Sequence, residues 1–181
     1  MHNKVKRIRQ PMYTAIGISL AFLLQACVFN EVTLGTNGSI LQKGDVCPTL
    51  QITCLDDRQL QVPQADGVQF VLFFHTECTD SRRMLSLLQL LYDEYSEYVH
   101  FIGLACGQQP ETIAPFIQHN NYSFPVAADA DGSIYATFAE QTIPRVYIIA
   151  DGIVQRVYDN RNVFTYALGK KFIQQYLSCC N

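Results

Sequence analysis

Residues 73–83 read FFHTECTDSRR. Within this stretch the group equipped for covalent chemistry is the thiol of Cys78. It follows an apolar run and precedes a segment of helical periodicity, which predicts a cysteine at the start of a helix. At that position the unpaired N–H groups and the helix dipole stabilise a thiolate, the reactive form of the side chain. Arg82 and Arg83 add to that pull if they fold back over the turn. Glu77 and Asp80 oppose it, because a nearby carboxylate disfavours a second negative charge. The dipole contributes only about 0.3–1 kcal/mol at an exposed site, so one carboxylate is enough to cancel it, and the sequence leaves the activation of Cys78 open. An activated Cys78 would attack a disulfide and form a mixed disulfide with a client protein or peptide. Ser81, three residues on, is either a hydrogen-bond partner for that sulfur or an ordinary first-turn residue. His75 either tunes the thiol or serves the structure.

Six further cysteines stand at positions 27, 47, 54, 106, 179 and 180. Cys106 ends a second apolar run, HFIGLAC. If the two runs are parallel strands, both cysteines lie at the same edge of the sheet, where α/β proteins place their sites. Cys106 is then either a resolving thiol for Cys78 or a small buried residue at a strand end. Cys47 and Cys54 either pair or fill the core. Cys179 and Cys180 read as a frayed tail at 179–181, since adjacent cysteines bridge only with strain. No C-x-x-C occurs and the four histidines (His2, His75, His100, His119) do not cluster, so neither a metal nor another cofactor is expected.

The elements that must position these residues follow from periodicity. Leu50, Ile52 and Cys54 alternate with polar neighbours, Asp56-Asp57 makes a turn, and Leu60 and Val62 alternate again, which predicts a hairpin. Gln69 to His75 and His100 to Cys106 are continuous apolar runs, as in buried central strands. Between them Met84, Leu88, Leu91 and Tyr95 recur at helical spacing. A helix is predicted near residues 112–119; with Thr112 as its N-cap, Pro115 falls in the first turn, where its missing N–H matters little. A short strand after Pro125, a short helix from Gly132 to Ala139, a hairpin of Arg145–Ala150 and Ile153–Tyr158 about Asp151-Gly152, and a helix from Val163 to Leu177 capped by Asn162 complete the chain. The expectation is one α/β domain over residues 41–178, a mixed sheet with helices on both faces and an N-terminal hairpin.

Residues 1–26 are of a different kind. Lys4, Lys6, Arg7 and Arg9 precede a mostly apolar run from Met12 to Leu24 that is too short to span a bilayer, and Leu24-Gln25-Ala26-Cys27 follows. This order reads as a secretion signal of the lipoprotein type, with Cys27 as the lipidated residue and 27–40 as a tether to the membrane. It places the domain in the cell envelope, facing the periplasm or the exterior, where disulfides persist. Removal of residues 1–26 takes four of the thirteen Lys and Arg and none of the sixteen Asp and Glu, so the net charge goes from −3 to −7. Such a balance argues against nucleic acid as a partner.

Four stretches also carry a family resemblance. They are Gly44-Asp45-Val46-Cys47-Pro48 with the strand that follows; Phe73 to Cys78; Phe124-Pro125-Val126 with Asp129 to Gly132; and Ile143-Pro144 with Val146 to Ile149 and the Asp-Gly turn. In order and spacing the chain from about 44 to 178 resembles the thioredoxin fold, in particular bacterial membrane-tethered thioredoxin-like proteins and the related alkyl hydroperoxide reductase/thiol-specific antioxidant superfamily. The resemblance implies a three-layer fold, thiol–disulfide exchange with protein clients, a catalytic role for the Cys78 and Ser81 positions, and a cis-proline loop at Ile143-Pro144 that faces the substrate. The sequence departs from that pattern at three places. Ser81 replaces the second catalytic cysteine, Glu77 replaces the aromatic residue usual before the first, and His75 stands where peroxidatic sites carry threonine.

Three readings follow. In the first, Cys78 is the single nucleophile of an extracytoplasmic thiol–disulfide exchanger. In the second, the domain binds a protein or peptide partner without redox turnover. In the third, it is a one-cysteine peroxidase.

Overall fold

The computed structural model describes residues 40–179. The signal segment, Cys27, nearly all of the tether, and Cys180 lie outside the described residues. Element order is β1 (Leu50–Thr53), β2 (Gln59–Val62), β3 (Val68–Phe74), α1 (Thr79–Tyr95), β4 (His100–Cys106), α2 (Pro110–His119), β5 (Val126–Asp129), α3 (Ser133–Phe138), β6 (Arg145–Ala150), β7 (Ile153–Tyr158) and α4 (Tyr166–Cys179).

Every residue of β3 is buried, and the strand accordingly sits at the centre of a five-stranded sheet of order β5-β4-β3-β6-β7. Its neighbour β4 is parallel, with Phe74 beside Ala105. On its other side β6 is antiparallel, with Phe73 opposite Arg145. The C-terminal ends of β3 and β4 and the N-terminal end of β6 therefore meet at one edge. The Asp151-Gly152 turn joins β6 to antiparallel β7 with both residues at positive φ, as a two-residue hairpin requires.

Alternation along β3 divides the core. Phe70, Leu72 and Phe74 face Met84, Leu85, Leu88 and Leu91 of α1, together with Ile113 of α2 and Ile173 of α4. Val71 and Phe73 face the other way, toward Ile52 and Val62 of the β1–β2 hairpin and Phe138 of α3. Helix α4 approaches α1 at Gly169, where a Cβ would lie 2.5 Å from Leu91 Cδ1. The result is the expected mixed sheet, with helices on both faces and an antiparallel hairpin before it.

Two helix starts differ from expectation. α2 begins at Pro110 behind Gln109, not at Thr112, so Pro115 lies inside the helix. Pro110 suits a first helical position, and the carbonyl deprived of a donor by Pro115 belongs to exposed Glu111, where water replaces the bond. α4 begins at Tyr166. Thr165, rather than Asn162, receives the Leu168 N–H on its side-chain oxygen at 3.3 Å. Asn162 instead donates its side-chain amide to the Val157 carbonyl and stays with the loop. Among the described residues no helix is long and apolar enough to cross a membrane.

Candidate functional site

Cys78 is the N-cap of α1. Its backbone is extended (φ −81°, ψ 122°), and its thiol makes no capping hydrogen bond. The turn before it is closed by the Cys78 N–H donating to the His75 carbonyl at 3.1 Å, and the helix begins with the Arg82 N–H donating to the Cys78 carbonyl at 3.0 Å. The Cys78 side chain is partly exposed at the sheet edge.

Thr76, buried in this turn, is held on three sides. Its N–H donates to Gln108 Oε1 at 2.9 Å, and Gln108 Nε2 donates to its hydroxyl at 2.7 Å. Its carbonyl accepts from Arg82 Nε at 2.6 Å, while the Arg82 guanidinium lies 5.7 Å over the Phe116 ring. Gln108 stands in the β4–α2 loop, so the turn carrying the thiol is laced to two other elements. Arg82 is thus occupied with the turn backbone, while Arg83 faces a cleft beside it.

Ser81 is fully buried. Its hydroxyl oxygen accepts the His75 N–H at 3.2 Å, and His75 Nδ1 accepts the Glu77 N–H at 3.3 Å. The serine therefore supports the end of β3 from the first turn of the helix. His75 serves the same turn through its ring.

Cys106 ends β4 at the same edge, but its side chain packs with the core on the far side of the sheet from α1. Burial, and after it the Asp129 carboxylate, push its thiol up to about 12, with a hydrogen bond from the Phe74 backbone acting the other way. Cys47 is pushed up to about 12 by burial alone, and Cys54 is raised, first by burial and then by Asp56. All five described cysteines are free, so Cys47 and Cys54 are core residues and not a bridge. Among the described residues no cluster of His, Cys, Asp and Glu could hold a metal ion.

The Ile143–Pro144 peptide bond is cis, and both residues line a cleft of about 240 Å³ between the start of α1 and the β7–α4 loop. Its floor is apolar, made by Met84, Val146 and Phe164, and Asp80, Arg83 and Asp159 stand on its rim. The structure brings Cys78, Ser81, Ile143 and Pro144 to one edge of the sheet and turns Cys106 away from them. Gln108, Tyr135 and Arg145 are parts of this edge that sequence reasoning passed over. For Arg145 a signal existed, a charge opening the otherwise apolar run RVYIIA. For Gln108 and Tyr135 nothing local distinguished them from surface residues.

A family model described as the AhpC/TSA family matches residues 43–157. Among solved structures, a thiol:disulfide interchange protein of the thioredoxin family from Chlorobium tepidum shares 19% identity over 75% of this chain and 98% of its own, at a TM-score of 0.63. StoA from Bacillus subtilis shares 19% identity over 70% and 96%, at 0.60. A secreted Mycobacterium tuberculosis disulfide oxidoreductase homologous to DsbE of E. coli shares 17% over 70% and 95%, at 0.61. At these identities the likeness establishes the fold, which is that of thioredoxin. No curated protein matches the chain.

Proposed function

The chain belongs to the AhpC/TSA family, and from that premise we propose that it is an extracytoplasmic, lipid-anchored thiol–disulfide exchanger working through one nucleophile, Cys78. The observation that carries this reading is the pairing of a partly exposed thiol at a helix N-terminus with a peptide-sized cleft lined by Ile143 and Pro144 at the same sheet edge. The Cys78 thiolate attacks one sulfur of a client disulfide. A Cys78–client disulfide forms, and the client's other sulfur leaves as a thiolate that takes a proton from water. Ser81 has no sulfur with which to release the client. A low-molecular-weight thiol from solution therefore attacks the Cys78 sulfur and frees the client as a dithiol. A second molecule of the same thiol regenerates Cys78 and departs as its own disulfide. Cys106 is a poorer resolver than the outside thiol, being un-ionised and on the other face of the sheet. The basic start, apolar run and Cys27 support attachment to the envelope membrane.

A second reading draws on one specific observation. Ser81 is fully buried and bonded to the end of β3, so the site is complete as a structure without redox turnover and would serve equally for binding a protein or peptide partner. Trapping separates the two. Incubation with disulfide-containing envelope extract, quenched in acid, is expected to give mixed disulfides with wild type and none with Cys78→Ala. Ser81→Cys is expected to shorten their lifetime by supplying the missing sulfur. A wild type that forms no mixed disulfide favours the binding module, and rapid conversion of Cys78 to sulfenic acid by peroxide favours a one-cysteine peroxidase.

A further inference from the structure

Arg145 is a fully buried arginine at the head of a strand in which every other residue is apolar or aromatic. A buried guanidinium is costly unless its donors are all engaged. Here Nη2 donates to the Gln141 carbonyl at 2.6 Å, Nε to the Thr142 carbonyl at 3.4 Å, and Nη1 lies 3.8 Å from Asp159 Oδ2. Tyr135 of α3 directs its hydroxyl at the same two carbonyls, 2.7 Å from Gln141 and 2.8 Å from Thr142. Its ring meets Phe73 edge-on at 5.1 Å. Between them sits Thr142 at φ +74°, a strained conformation for a β-branched residue that persists only where its surroundings impose it.

Two of these targets, Thr142 and Asp159, line the cleft, and Gln141 adjoins the first of them in the chain. Thr142, Ile143 and Pro144 form one wall and Asp159 belongs to the other. One buried cation spans both, and Tyr135 pulls the first wall inward from beneath. With the carbonyls of Gln141 and Thr142 held toward the interior, Ile143 and Pro144 are presented to the cleft.

We propose that Arg145 and Tyr135 are positioning residues for client recognition: they set the conformation of the Gln141–Pro144 loop and the width of the cleft that accepts the extended peptide beside the client's disulfide. This rests on the exchange reading above. It predicts a selective defect, because a disulfide too small to use the cleft has no need of the loop.

The test compares two disulfides with the full chain. One is 2-hydroxyethyl disulfide. The other is the disulfide-linked dimer of a short peptide whose cysteine is flanked by apolar residues, chosen for the apolar floor. Tyr135→Phe keeps the ring against Phe73 and removes the hydroxyl. It is expected to lower the rate of mixed-disulfide formation with the peptide about tenfold or more, mainly through KM, and to leave the rate with hydroxyethyl disulfide within about twofold, as mispositioning without damage to the nucleophile requires. Arg145→Met should do the same more strongly, and Arg145→Lys, which keeps the charge and loses the fork, should fall between. If Arg145→Met fails to fold, Tyr135→Phe decides the matter alone. Equal loss with both disulfides, or no loss with the peptide, overturns the proposal. If wild type reacts with neither disulfide, the exchange reading fails. The positioning claim is then decided by the Kd for the reduced peptide. A tenfold weakening in Tyr135→Phe supports it, and an unchanged Kd overturns it.

Discussion

Replacing Gln108 by leucine tests whether the turn bearing Cys78 is held in place from the β4–α2 loop. The volumes are similar, so the change removes two hydrogen bonds with little new strain. Thr76 is 5% exposed and Gln108 7%, so water does not readily take over. The Thr76 N–H, which donates to Gln108 at 2.9 Å, becomes a buried donor without a partner, at about 1–3 kcal/mol; the bond from Gln108 to the Thr76 hydroxyl is worth about 0.5–1.5 kcal/mol more. The total is about 1.5–4.5 kcal/mol, a large share of a typical domain's stability. For a domain of this size that corresponds to a fall in Tm of roughly 5–15 °C. Thermal unfolding followed by circular dichroism measures it, and urea unfolding at constant m confirms that the native state is what changed. Thr76→Val loses only the hydroxyl bond. The double variant should therefore cost less than the sum of the two single ones, because that bond is lost once. A Gln108→Leu protein within about 0.5 kcal/mol of wild type, or strict additivity with Thr76→Val, would refute the reasoning.

Two further outcomes concern thiols other than Cys78. With its thiol pushed from the ordinary value of 9.0 up to about 12, Cys106 is ionised to about one part in ten thousand at pH 8, against roughly one tenth for the ordinary thiol; iodoacetamide should therefore label it on the order of a thousandfold more slowly in the native protein than in urea, as peptide mass spectrometry will show, and comparable rates would mean that it is open to solvent and fit to resolve Cys78. For Cys47, ordinary value 9.0 and folded value about 12, the unfolded chain loses its proton first as pH rises. Stability from this group is present below pH 9 and declines by about 1.4 kcal/mol per pH unit between pH 9 and 12. Cys47→Ala should flatten the alkaline limb of a urea-denaturation pH series by that slope, and an unchanged limb would contradict the assignment.

Much of the framework was legible from residues close together in the chain. The nearly continuous apolar run from Gln69 to His75 marked the central strand, and the change to helical spacing after Thr79 marked α1, because backbone sterics and the two side-chain periods act over a few residues. The same local logic placed Cys78 at a helix start and Ile143-Pro144 ahead of a strand. The helix starts at α2 and α4 differ from that reading because Pro110 opens α2 behind Gln109, which makes no side-chain cap bond, and because at α4 Thr165 takes the Leu168 N–H while Asn162 bonds to the Val157 carbonyl.

The partnerships at the site belong to the tertiary structure. Thr76 and Gln108 are 32 residues apart in the chain, and they meet only because β3 and β4 pair in a particular register. Which core Cys106 faces depends on its phase relative to β3, and one residue of slip would reverse it. Arg145 reads in isolation as a strand-end charge bound for solvent. It is buried because α3 and the β7–α4 loop close over the edge and supply Tyr135 and Asp159. The sequence alone determined the elements and the place of Cys78 at a helix start, through short-range sterics and hydrophobic period. Only the assembled fold decided what surrounds that thiol, since hydrogen bonds of about 3 Å between distant residues exist only when whole elements dock.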